Sequence, residues 1–81
     1  MDHTQRIRSF ILETFLFTDD PSALNDDDSF LDKGIIDSTG VLELVMFLED
    51  ELGVAVDDDE LVPDNLDSVS RVSAFVGRKK A

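Results

Sequence analysis

The chain has 81 residues, 42% hydrophobic and 32% charged, with 19 acidic against 7 basic residues and a formal charge of -12. That length allows one domain around one small core and excludes a large enzyme, and the composition is globular rather than disordered. With no cysteine in the sequence, a disulfide scaffold, a thiolate metal site and a cysteine nucleophile are excluded, in keeping with a reducing compartment. The longest apolar run, Leu44 to Leu48, is far too short to span a membrane, and the start of the chain lacks a signal-peptide apolar stretch. A soluble, cytoplasmic protein is therefore expected. Every acidic residue except Asp2 lies between Glu13 and Asp67, opposed there by Lys33 alone. Such a field repels nucleic acid and anionic lipid and speeds encounter with basic protein surfaces. The expected partners are proteins carrying arginine and lysine patches.

Taken in chain order, residues 4–16 place Ile7, Phe10, Ile11 and Phe15 on one helical face, with Thr4 as the candidate N-cap. From Phe17 to Asp37 the pattern lapses into a loop rich in Asp, Pro, Ser and Asn, interrupted by Leu24, Phe30, Leu31, Ile35 and Ile36, which should anchor it to the core. A loop that long inside a small domain points to function at one of its ends. Residues 38–52 carry Val41, Leu44, Val45, Leu48 and Leu52 at helical spacing and stop at Gly53. Asp57 to Glu60 open a short helix, of uncertain extent within 57–66, that Pro63 limits. Asp67 is then the cap of a last helix with Val69, Val72, Phe75 and Val76 inward and Arg78, Lys79 and Lys80 at its C-terminal dipole. The prediction is an all-α bundle of three main helices plus a short one, a single domain over residues 1–81. Phe10, Phe30, Leu44, Val45, Leu48, Val72 and Phe75 are its expected shared core.

The second helix has more apolar residues than one core face uses. Leu42 and Met46 stand i, i+4 apart on a face about 100° round from the seam of Val41, Val45 and Leu48. Flanked by Glu43, Glu49 and Asp50, they make an apolar and acidic docking face, unless they pack under the long loop. At the start of this helix stands Gly34-Ile35-Ile36-Asp37-Ser38-Thr39-Gly40. Asp37 and Ser38 both suit an N-cap, and the plain reading of Ser38 is that it satisfies an orphan N–H. Gly40 in a first helical turn costs about 1 kcal/mol relative to Ala, so either something approaches the backbone there or a small residue is tolerated near a helix end.

Asp37-Ser38 after a glycine and two apolar residues, followed by an amphipathic acidic helix ending Leu48-Glu49-Asp50-Glu51-Leu52-Gly53, resembles the phosphopantetheine carrier proteins over nearly the whole chain. The resemblance implies that Ser38 is the attachment site of 4'-phosphopantetheine, whose thiol carries an acyl or aminoacyl group as a thioester in fatty-acid, polyketide, nonribosomal peptide or related biosynthesis. Ser38 is then a substrate rather than a catalyst, which agrees with the lack of a base beside it: His3 is the only histidine and lies at the N-terminus. Asp37 matches the acidic residue before the family's serine and implies a contact for the transferase or its metal. Thr39, Leu42 and Met46 match the partner-facing positions, with Gly40 beside them. The implied partners are a phosphopantetheinyl transferase, an adenylating ligase or acyltransferase, and downstream condensing or tailoring enzymes, and the chain is expected to be a monomer. Thr39-Gly40 departs from the fatty-acid carriers, and the stretch from Gly34 to Gly40 is more similar to stand-alone aminoacyl carriers of the D-alanyl or peptidyl type.

Three rivals stand beside this reading. Asp26-Asp27-Asp28 and Asp57-Asp58-Asp59-Glu60 look like calcium ligands but miss the register of an EF-hand loop, with its Gly at position six and Glu at position twelve. A hydrolase lacks the length to bury its carboxylates. A carrier-fold adaptor that is never loaded is the serious alternative.

Overall fold

In a computed structural model, which describes residues 3–80, the expected helical faces become α1 (Thr4–Thr14), α2 (Gly40–Glu51), α3 (Pro63–Leu66) and α4 (Val69–Lys80). Two 3-10 turns, Pro21–Ala23 and Asp58–Glu60, interrupt the connections, and no strand occurs among the described residues. The core joins Ile7, Ile11 and Leu12 of α1 to Leu44 and Leu48 of α2 and to Val69, Val72, Phe75 and Val76 of α4. Leu24, Phe30 and Ile36 plug into it from the long connection between α1 and α2, so that connection is fastened by its own apolar side chains. Two of the seven expected core residues, Phe10 and Val45, are only half-buried. The inward line of α2 runs through Leu44 and Leu48, which leaves Val45 at its edge. Phe10 sits beside the core, stacked on Phe47 with ring centroids 4.2 Å apart. Leu31, expected as an anchor, is 53% exposed.

Several helix ends fall elsewhere than the sequence suggests, each because a side chain has a better partner. Thr4 lies inside α1, which His3 precedes without a side-chain cap; its hydroxyl instead pairs with that of Ser73 on α4, 2.8 Å away. Asp67 does not cap α4. Its carboxylate accepts from the Ser29 hydroxyl and the Leu31 amide, and its carbonyl from the Phe30 amide at 2.7 Å. Ser68 does the capping, its hydroxyl accepting from the Arg71 amide. Pro63 opens α3 rather than only limiting a helix before it, since its missing N–H costs nothing in a first turn. α1 ends at Thr14, two residues early. Beyond it Phe17 takes φ 55°, a left-handed backbone that costs a residue with a Cβ about 1–2 kcal/mol.

Arg8 fastens the long connection a second way. Its guanidinium donates to the Pro21 and Leu24 carbonyls at 2.7 and 2.8 Å and pairs with Asp26 at 2.6 Å. At the opposite side, Glu60 accepts the Asp57 amide at 3.0 Å and the Lys79 ammonium at 2.9 Å. The backbone bond first, then Lys79, holds the Glu60 carboxyl below its ordinary value of 4.5, and Glu60 in turn pushes Lys79 up. A carboxyl whose folded value is depressed adds stability that is present above its ordinary value and lost as pH falls through the lowered one. Wild type should therefore lose more stability than Glu60→Gln on acidification from about pH 5 to about pH 2, a difference that chemical denaturation at stepped pH would measure.

Candidate functional site

The site is the entrance to α2. The Asp37 carboxylate accepts the Gly40 amide at 2.7 Å, and the Asp37 carbonyl accepts the Val41 amide at 3.1 Å. Asp37 is thus the cap, and Thr39 already has helical dihedrals, φ -78° and ψ -41°. Helical hydrogen bonding is assigned from Gly40, two residues after the expected start, because first-turn amides have no partner one turn back. Capping by Asp37 leaves Ser38 without that duty. Its side chain is exposed and makes no hydrogen bond among the described residues, and the same holds for Thr39.

Gly40 has an inward role. A Cβ there would lie 2.9 Å from the Phe15 ring and 3.1 Å from an Ile36 methyl, closer than side chains pack. The close approach to the backbone that the sequence suggested is made by the end of α1. Gly40 therefore lets α1 press on the first turn of α2.

Beside Ser38 opens a cleft of about 340 Å³ between the loop and α3, lined by Phe30, Leu31, Ile36, Val41, Leu42, Leu61, Val62, Pro63, Leu66 and Asp67. Leu31, Leu42 and Val62, at 53%, 57% and 39% exposure, form its apolar rim. Leu42 and Met46, the latter 59% exposed, do not pack under the loop. They divide between two surfaces: Leu42 belongs to the cleft, whereas Met46, Glu43 and Asp50 line a shallow groove between α1 and α2 floored by Phe10 and Phe47. Glu49 reaches the Val56 amide at 3.4 Å. Leu31, Leu61 and Val62 were not singled out as site residues. Their only sequence signal is an apolar residue next to a loop anchor or a proline.

Electrostatics favour an anion at Ser38. The Ser38 and Thr39 amides have no acceptor among the described residues, and they point from the positive end of a 12-residue helix. An exposed hydroxyl, two free amides and an adjoining apolar cleft fit a phosphodiester followed by a thin, largely neutral arm. That combination defines a carrier domain. The chain matches the family of the phosphopantetheine attachment site over residues 6–76 and belongs to it; it is a carrier of covalently attached 4'-phosphopantetheine and not an enzyme. Its fold is similar to the solution structure of a holo acyl carrier protein from Nitrosomonas europaea, with a TM-score of 0.80 at 22% identity, covering 99% of this chain and 98% of that one. No curated protein matches the chain. No described helix is long and apolar enough to cross a membrane.

The geometry separates three neighbouring residues by stability. Asp37→Ala should cost about 1 kcal/mol as a lost cap, and Ser38→Ala should stay within about 0.5 kcal/mol of wild type. Gly40→Leu should cost about 1–3 kcal/mol by overpacking against Phe15. Urea denaturation of the three variants would check the order.

Proposed function

We propose that Ser38 bears the phosphopantetheine arm and that the chain, a single carrier domain over residues 1–81, presents a thioester-bound acyl or aminoacyl group to biosynthetic enzymes. The observation that carries this reading is the Ser38 hydroxyl, exposed and relieved of capping by Asp37 at the start of α2. In loading, Ser38 Oγ gives its proton to a base on the transferase and bonds to the phosphorus of coenzyme A that bears the pantetheine, while the phosphoanhydride breaks and releases adenosine bisphosphate. The chain supplies no base of its own. Asp37 holds the turn with one carboxylate oxygen and keeps the other for the transferase or its metal. When bound, the arm supplies a thiol that holds cargo as a reactive thioester.

The Gly34 to Gly40 stretch, with its likeness to stand-alone aminoacyl carriers, supports an aminoacyl cargo activated by an adenylating ligase. Thr39 and Leu42 receive partners around the cleft, and Met46 with Glu43, Glu49 and Asp50 receives them along the neighbouring face of α2. Charge on this surface governs encounter, and the apolar pair governs how long a complex lasts.

Incubation with a phosphopantetheinyl transferase and coenzyme A should add one phosphopantetheinyl group to wild type and none to Ser38→Ala; full modification of the variant would reject the assignment, and an unmodified wild type would favour the adaptor. In stopped-flow binding of the loaded carrier to its partner, Glu43→Lys should slow association and lose most of that effect at 1 M salt, where the screening length falls to about 3 Å. Met46→Ala should mainly speed dissociation. Equal rates in all three proteins would place docking on another face.

A further inference from the structure

Phe17 combines two costs that the fold does not repay. It is the one non-glycine at positive φ among the described residues, in a position after a helix that glycine or asparagine fills without strain. The residue is 85% exposed, more than any other large apolar residue described, so it returns little burial. The backbone around it is fixed, with the Leu16 amide on the Ile11 carbonyl at 3.3 Å and the Thr18 amide on the Leu12 carbonyl at 3.1 Å. The chain therefore holds an aromatic ring outward on a strained but hydrogen-bonded turn. Strain of this kind collects where a contact with another molecule depends on it.

The turn lies at the Ser38 end of the molecule. Two residues before Phe17, the Phe15 ring packs against Gly40, and Gly40 is two residues past Ser38. Each two-residue stretch reaches at most about 7 Å, so the Phe17 and Ser38 backbones lie within roughly 20 Å. An interface of ordinary size covers a patch about 30 Å across, wide enough to reach from one to the other. Glu13, Asp19 and Asp20 surround Phe17 in sequence, and the nearest preceding cation, Arg8, is consumed by Asp26 and two carbonyls.

We propose that Phe17 is an anchor for the phosphopantetheinyl transferase, its ring entering an apolar socket edged by arginine or lysine while the enzyme acts on Ser38. This rests on the assignment of Ser38 and adds a contact on the side of α1, across α2 from Leu42 and Val62. A broad-specificity transferase with coenzyme A is the probe, and loading is followed by mass for wild type, Phe17→Gly and Phe17→Leu beside thermal melts of each. Phe17→Gly should melt no lower than wild type and lose about tenfold or more in kcat/KM, through KM, as an interface anchor does. Phe17→Leu, which keeps apolar bulk, should recover most of that loss. A Phe17→Gly kcat/KM within twofold of wild type would overturn the proposal while leaving Ser38 standing, and so would a lowered melting temperature, which would make the ring a structural element. A wild type that gains no mass would instead overturn the Ser38 assignment and the proposal with it.

Discussion

The Phe15 ring, lying where a side chain at position 40 would be, fixes the one place on which the rest of the molecule converges. Because Gly40 yields that space, α1 closes directly on the first turn of α2, and the Asp37 carboxylate can cap the turn from outside through the Gly40 amide. Both contacts act on the three residues that follow Asp37. The hydroxyl of Ser38 is left exposed on a turn whose backbone is held from both sides, where a modifying enzyme can reach it. Glycine's usual cost within a helix is accepted in exchange for interhelix contact.

The long connection between α1 and α2 serves the same end. Phe30 and Ile36 are buried to within a few per cent, and the Ile35 and Ile36 amides return to the Phe30 carbonyl, so the chain enters Asp37 from a fastened loop. Asp67 joins that loop to the segment between α3 and α4, and the cleft beside Ser38 is the gap left between them. Acidity then acts on a prepared surface. α2 contains no basic residue, and the arginines and lysines elsewhere are engaged with carboxylates, carbonyls or Asn65. The field around Leu42 and Met46 stays negative at the distances over which basic partners are steered.

The helix faces were legible because spacing alone decides which side of a helix is apolar: Ile7, Ile11, Leu44, Leu48, Val72 and Phe75 needed no tertiary information, and the surplus of Leu42 and Met46 marked an exposed surface. Caps were less legible, since Thr, Ser and Asp cap equally well and their choice depends on distant partners. Thr4 turned to Ser73, Asp67 to Ser29 and Leu31, and Asp37 took the role that Ser38 was equally suited to fill. The inward meaning of Gly40 was also hidden, because local sequence does not say that Phe15 arrives there. Leu31 looks like a loop anchor in sequence and Val62 carries no site signal there; both become rim residues where the loop and α3 stand apart.

The central claim is that the hydroxyl of Ser38, and no other, receives the arm. Fragmentation mass spectrometry of the protein after modification by a phosphopantetheinyl transferase tests it most directly, because it reads the attached atom's residue without any substitution in the turn. The account requires the added group on Ser38; its appearance on Thr39, the neighbouring exposed hydroxyl on the same turn, or on any other residue would contradict it.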